Sequence, residues 1–453
     1  MLTHSVLMLS YLFPPRGGPG VQRALKFAKY LPQFGWRPLV VASADVRSDN
    51  VVKVDDPTLL RDLPRECVVR YTRPSLLESG RLFRTHMSLR QRLAVTDPMG
   101  WWVEPAVQAS LELLREHKAN AIFVTMSPFT AAEAGIRLKH LTGLPLILDL
   151  RDPWAMDETR IYPTRWHARM DWAAMSRAMA VADLVIMNTA EAAVAVKAAF
   201  GLSTTRVVTL TNGFDPEDFL AADRPTVPPA AADVLRIVHV GIFHTDLAPV
   251  WDDVLGARGW RNRLKHPRRP INLWTRTPRY LLAAMEQLTA ESRFSPQKLE
   301  LVLVGEQSAG DEALIASSPL RQQVRALGYR SHAESVEWLR SADALFLPLH
   351  MPLDGGPALV VPGKTYEYLG SGRPILAMGP PGDMRRYVRE MNCGIAINGD
   401  DVTEAANALE RMYQAKRSGR RLFEPDYTAI SRFNRRELTR RLAEELDSLV
   451  GVT

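Results

Sequence analysis

Lys364 and Glu367 stand three residues apart in Gly363-Lys364-Thr365-Tyr366-Glu367-Tyr368-Leu369-Gly370-Ser371-Gly372, and the apolar run Ile375-Leu376-Ala377 follows. This spacing predicts a short helix, a glycine turn and a buried strand, with both charges on one helix face near its N-terminus. A cation, a carboxylate and free backbone N–H groups at a helix start suit a ligand carrying both phosphate and sugar hydroxyls. The competing reading is a surface ion pair on an ordinary helix. Asp152 is a second candidate. It follows the apolar run Leu146-Ile147-Leu148-Asp149-Leu150, so it is expected at a strand's C-terminal end. There it could orient a hydroxyl, act as a base, or cap the helix turn at Pro153.

Both groups need elements that hold them. Val6-Leu7-Met8-Leu9 reads as a buried parallel strand. A loop with Arg16, Gly17, Gly18 and Gly20 comes next, then a helical pattern through Val21, Ala24, Leu25, Ala28 and Leu31, then the strand Leu39-Val40-Val41-Ala42. Strand, glycine loop, helix and strand form the first unit of a doubly wound α/β sheet. The loop lacks a G-x-G-x-x-G spacing; its glycines would let backbone approach a ligand, or serve a plain turn. The same rhythm runs through 121–125, 144–150, 183–188 and 206–210. The proline- and alanine-rich stretch Arg224–Ala232 reads as a linker. The rhythm then restarts with Leu235–Gly241, Leu299–Gly305, Ala344–Leu349, Pro374–Met378 and Gly394–Ile397. A final amphipathic helix from about Tyr427 carries Leu438, Leu442 and Leu446 at four-residue steps. The expected domains are 1–222 plus the returning segment 427–453, and 233–426.

The chain has 453 residues, enough for two cores, with 57 basic and 50 acidic side chains and a net charge of +7. That excess is too weak to indicate nucleic acid. Cys67 and Cys393 are the only cysteines, so neither a disulfide framework nor a zinc site is supported. No membrane-spanning segment and no signal peptide are expected. One region breaks the rhythm. From His244 to Tyr280 there are eight basic and three acidic residues, interleaved with Trp251, Trp260 and Trp274. Residues 244–275 therefore read as a basic insertion, either a solvated loop or a surface that meets phospholipid or an anionic acceptor.

These residues together resemble a glycosyltransferase of the GT-B fold, family 4-like. The anchors are the opening strand and loop through Arg23, Asp149-Leu150-Arg151-Asp152-Pro153-Trp154, Asn212-Gly213-Phe214-Asp215, Val240-Gly241, Val304-Gly305, Gly328-Tyr329, Ser341-Ala342-Asp343-Ala344 and the Lys364 stretch. The resemblance implies two Rossmann-like domains and transfer of a sugar from a nucleotide diphosphate sugar to an acceptor hydroxyl. It implies retention of anomeric configuration. Neither a cofactor nor a metal is expected, since no Asp-x-Asp pair occurs in a strand-end loop. Lys364 would counter the diphosphate charge and Glu367 would accept from ribose hydroxyls. Gly17, Gly18, Gly241 and Gly372 would give clearance around the donor. Asp152 would act with Lys364 in catalysis. Arg16, Arg151 and the loop Asp354-Gly355-Gly356 are candidates for sugar or acceptor contacts. The sequence departs from the family's E-x7-E pattern: Leu359 stands where the first acid belongs. No basic residue is evident in the loop after Gly241. The expected partners are a nucleotide-sugar donor and a glycan or lipid-linked glycan, in the cytoplasm at the inner face of a membrane, for cell-envelope polysaccharide synthesis. Two other readings stay open here. One is a nucleotide-sugar epimerase or hydrolase on the same scaffold, the other a catalytically inactive binding subunit of a polysaccharide assembly complex.

Overall fold

The computed structural model describes residues 2–44, 55–73, 96–202, 205–219 and 227–451. The chain forms two compact units. The first comprises Met1–Asp157, Tyr162–Asn212 and Arg435–Thr453; the second comprises Glu158–Ile161 and Gly213–Asn434.

The strands of the first unit are β1 (His4–Ser10), β2 (Trp36–Ser43), β3 (Val68–Thr72), β4 (Ala121–Met126), β5 (Leu146–Leu150), β7 (Leu184–Met187) and β8 (Arg206–Thr209); the two-residue β6 (Ile161–Tyr162) lies outside the sheet, with Ile161 assigned to the second unit and Tyr162 to the first. The sheet is parallel, in the order β3-β2-β1-β4-β5-β7-β8. β1 lies between β2 and β4, with Leu7 facing Leu39 on one side and Ile122 on the other. Such central strands are covered on both faces, which is why they read as unbroken apolar runs. The helix Arg435–Val450 returns to this unit. It buries Leu438, Leu442 and Leu446 in the core that holds Phe27, Trp36 and Val40. Asp447 accepts from the Trp36 indole N–H at 2.8 Å.

Inside this core lies a buried ion pair. The Arg23 guanidinium donates to both oxygens of Asp149 at 2.7–3.1 Å and to the carbonyls of Leu210 and Thr211 at 2.8 and 2.6 Å. Thr125 Oγ1 donates to the same carboxylate at 2.8 Å. The first helix, β4, β5 and the end of β8 are thereby tied at one point.

The second unit contains β9 (Leu235–Val240), β10 (His266–Pro267), β11 (Ile271–Asn272), β12 (Leu299–Val304), β13 (Val324–Ala326), β14 (Ala344–Pro348), β15 (Met351–Pro352), β16 (Ile375–Met378) and β17 (Gly394–Ile397). Six of these make a parallel sheet in the order β13-β12-β9-β14-β16-β17. The strand order reverses direction between β9 and β14, a switch point where open α/β sheets leave a crevice at the strands' C-terminal ends.

Three expectations need correction. The crossing into the second unit falls at Asn212–Gly213, before the 222–233 junction expected from composition. Phe214 is the reason: it is buried in the second unit's core, and its N–H donates to the Phe433 carbonyl at 3.1 Å. Residues 224–226 of the expected linker lie outside the described residues; beyond them, the Pro228 carbonyl accepts from Arg236 at 2.7 Å. The returning segment starts at Arg435, not near 427. Ile430 and Phe433 pack into the second unit's core, and the short helix Tyr427–Ser431 stays there with them. The basic insertion is folded rather than a solvated loop. It forms the helices Ala248–Leu255 and Trp260–Leu264, and Ala248, Trp251, Ile271 and Leu273 make a small core of their own. In the first unit, Pro98–Trp102 forms a helical turn with both tryptophans buried; residues 74–95 lie outside the described residues.

Replacing Asp149 by Leu would leave the Arg23 charge buried without its counter-ion. A loss of about 3–5 kcal/mol of unfolding free energy is expected in denaturant titration. A loss below about 1 kcal/mol, the scale of an exposed pair, would contradict the role assigned to the ion pair.

Candidate active site

The second unit gathers charge at its switch point. Lys364 opens the helix Lys364–Ser371, whose N-cap Gly363 makes no side-chain cap hydrogen bond. The lysine Nζ lies 2.9 Å from His239 Nε2, near the end of β9. The other ring nitrogen, Nδ1, lies 2.9 Å from the Phe346 carbonyl oxygen. A carbonyl can only accept, so Nδ1 carries the proton and Nε2 accepts from Lys364. His239 is fully buried and stacks on Phe243 at 4.1 Å and 13°. Burial, then the neighbouring Lys364 charge, holds the ring well below the usual histidine range, hence neutral.

Lys364 is itself pushed down to about 7, first by burial and then by the Arg276 guanidinium; Glu367 opposes the shift. Close by, His244 is pushed down to about 3 by burial, Arg276 and Lys364. The result is a compact positive site whose lysine titrates near neutral pH. Two glycines give it room. Gly241 sits at φ +113°, and a Cβ there would lie 2.8 Å from Lys364 Nζ. Gly305 sits at φ +137°, where a Cβ would lie 2.7 Å from the Gly241 carbonyl oxygen. Tyr368, one turn after Lys364, fixes the helix to the strand: its hydroxyl accepts the Val240 N–H at 2.9 Å.

Of the sequence candidates in this unit, Lys364, Glu367 and Gly241 come together. Gly372 does not join them. It caps the far end of the helix at φ +67°, about 12 Å along the axis from Lys364 at the usual rise. A Cβ there would lie 2.5 Å from the Tyr427 hydroxyl, so its glycine serves a left-handed turn and a close approach. The Asp354–Gly356 loop is held by other groups. Arg269 Nε donates to Asp354 Oδ2 at 2.8 Å and keeps that carboxylate below its ordinary range. The Gly356 N–H donates to Asp354 Oδ1 at 3.0 Å, so this amide is already committed; Gly355 takes φ +73°.

In the first unit, Gly18 precedes the helix Pro19–Tyr30 at φ +93°, a conformation that favours glycine, with Gly17 before it in the loop after β1. Arg16 is buried, its guanidinium 5.3 Å over the Tyr11 ring. Asp152 is exposed just beyond β5. Arg151, a candidate for sugar or acceptor contact, is bonded within its own unit. Its guanidinium donates to the carbonyls of Met126 at 2.7 Å, Ser127 at 3.2 Å and Gly20. It ties the ends of β4 and β5 to the first helix, and burial pushes its pKa down.

Residues 20–218 match the family model described as Glycosyltransferase Family 4, and residues 272–415 match that described as Glycosyl transferases group 1. The chain is a family 4-like glycosyltransferase. Its fold is GT-B. HepE of Anabaena, solved with UDP and glucose, superposes with a TM-score of 0.56 at 16% identity, covering 98% of this chain and 100% of that one. Sucrose-phosphate synthase of Thermosynechococcus elongatus gives 0.60 at 13% identity, with 99% and 96% covered. An E. coli structure titled as trehalose-6-phosphate bound with UDP-2-fluoro glucose gives 0.57 at 12%, with 98% of each chain covered. No curated protein matches the chain by sequence.

For this glycosyltransferase, sequence reasoning missed Arg276 and His239. The cation sought directly after Gly241 comes from beyond the insertion, at the end of the helical turn Leu273–Arg276. The signal was the Arg276-Thr277-Pro278 approach to the next apolar helix. His239 sat inside an apolar strand run and looked like core.

Two outcomes are expected. Gly241→Ala should weaken binding of a nucleoside diphosphate in calorimetry, since its Cβ would stand 2.8 Å from the lysine Nζ and a φ of +113° disfavours any side chain. In the wild type, a diphosphate favours protonated Lys364, so affinity for a nucleoside diphosphate should fall as pH rises. With the free lysine near 7, the fall is about fivefold from pH 7 to 8 and about tenfold from pH 8 to 9. Proton uptake should show as a buffer-dependent binding enthalpy; a pH-flat affinity would refute the assignment.

Proposed function

We propose that this glycosyltransferase moves a sugar from a nucleotide diphosphate sugar to an acceptor hydroxyl, with retention and without requiring a metal. The observation that carries this reading is the positive site at the second unit's switch point, where Lys364 and Arg276 converge beside Gly241. The bond from the sugar's anomeric carbon to the diphosphate breaks, and a bond to the acceptor oxygen forms. Negative charge grows on the leaving diphosphate, and preorganised cations in a water-poor site are the means to stabilise it. Glu367, on the same helix, suits the ribose hydroxyls because a carboxylate offers two acceptor oxygens to a diol. Asp152 is the candidate group of the first unit for orienting the acceptor or taking its proton. Retention rests on the family resemblance. The nucleotide sugar is further supported by structural relatives solved with UDP, glucose or a UDP-sugar analogue.

The acceptor is proposed to be a lipid-linked glycan in cell-envelope polysaccharide synthesis, met at a membrane surface. The folded insertion supports this. Trp260 is 68% and Leu264 56% exposed on one short helix, with Arg258, Arg261 and Arg263 exposed around them. An exposed indole among arginines fits an anionic lipid interface. Among the described residues no helix is long and apolar enough to cross a membrane.

Nucleotide release from donors should rise when envelope lipid extracts are added; release that ignores acceptor would contradict transfer. Glu367→Ala should weaken donor binding about tenfold, the scale of one charge-assisted hydrogen bond. Trp260→Ala combined with Arg261→Ala and Arg263→Ala should lower partition onto phosphatidylglycerol vesicles and leave binding to neutral vesicles unchanged. Equal partition on the anionic vesicles would refute the membrane assignment.

A further inference from the structure

The sequence between β14 and the Lys364 helix contains only the two-residue β15, yet it occupies the C-terminal end of a strand beside the switch point. Its order comes from outside. Glu158, on a four-residue excursion that belongs to the second unit, is fully buried. Its Oε2 accepts from His350 Nε2 at 2.9 Å and from the Leu359 N–H at 3.2 Å. Its Oε1 accepts from Arg269. Arg269 continues outward, donating to Asp354 at 2.8 Å and to the Pro357 carbonyl at 2.8 Å. His350 is as buried as Glu158. The excursion is fixed in turn, with the Arg268 N–H donating to the Arg160 carbonyl at 2.9 Å. One carboxylate–guanidinium pair therefore holds residues 350, 354, 357 and 359 of a single loop.

We propose that Glu158 is a positioning residue for the donor sugar: it holds the loop 350–359 in the shape that receives the sugar moiety, while the diphosphate is held separately by the Lys364 group. The proposal rests on the nucleotide-sugar reading above. A buried carboxylate is costly to retain and is kept where its partners are fixed by it. Here the carboxylate and its guanidinium partner together reach two backbone groups, at Pro357 and Leu359, and two side chains, His350 and Asp354, of one loop. The sugar and the diphosphate then depend on different residues, which separates their energetics. Gln at position 158 keeps the shape but removes the charge and one acceptor, so Arg269, His350 and Leu359 can no longer all be satisfied.

The test compares wild type and Glu158→Gln by calorimetry with UDP-glucose and with UDP, and follows hydrogen exchange of peptides across 350–363. If a thermal-shift screen selects another nucleotide sugar, that sugar and its own nucleotide diphosphate replace this pair. The variant should bind the nucleotide sugar about tenfold more weakly and the bare diphosphate within about twofold of wild type. KM for the donor should rise with it, and peptides across 350–363 should exchange faster while those of β9 and β14 do not. Unchanged affinity for the nucleotide sugar, or equal loss for sugar and bare diphosphate, overturns the proposal. Should Glu158→Gln fail to fold, Asp354→Asn removes the exposed end of the clamp. It should shift the same sugar-to-diphosphate ratio by about threefold, and an unshifted ratio overturns the proposal. Wild type that binds no nucleotide diphosphate sugar would instead refute the nucleotide-sugar reading itself, before any variant is made.

Discussion

A buried cation needs either a counter-charge or a ligand, and the two units of this protein show the two cases. In the first, the Arg23 guanidinium meets both Asp149 oxygens and two carbonyls, and the pair fastens a helix to three strands. Nothing is left for a ligand. In the second, Lys364 sits beside Arg276, and its bonded partner is a neutral histidine. Only Glu367 works against the shift. The like charges raise the electrostatic energy of the empty site, and an incoming dianion lowers it. On the proposed function, affinity for a diphosphate would follow from how the second unit folds.

His239 makes that possible. Had the ring proton sat on Nε2, two donors would face each other across 2.9 Å. The Phe346 carbonyl on the adjacent strand prevents this by accepting a hydrogen bond from Nδ1–H. Strand pairing between β9 and β14 therefore reaches into the site through one tautomer.

The α/β rhythm, the crevice-forming sheets and the Lys364–Glu367 face were legible because they rest on local periodicity and strand-end glycines. The missed features are long-range. Arg276 is separated from Gly241 by the insertion, which conceals that both meet one lysine. Leu359, where the family pattern expects an acid, has its backbone amide on Glu158, 201 residues earlier. No spacing rule links such positions. Composition also misplaced the unit boundary, because a proline-rich stretch is not where packing changes hands; the burial of Phe214 decides that. The basic excess of His244–Tyr280 likewise divides. Arg269 and Arg276 serve the interior network, while Arg258, Arg261 and Arg263 stay in solvent.

The excursion Glu158–Ile161 makes the chain pass between its units at four places, after residues 157, 161, 212 and 434. This limits how the protein can be recombined. A cassette running from Gly213 to Asn434 contains the whole second sheet yet omits Glu158, leaving buried His350 and Arg269 without their shared carboxylate. A hybrid that takes its first unit from one relative and its second from another inherits a mismatched clamp unless those four residues travel with the second unit. Shuffling at the Asn212–Gly213 junction is thus expected to give chains that have lost this clamp.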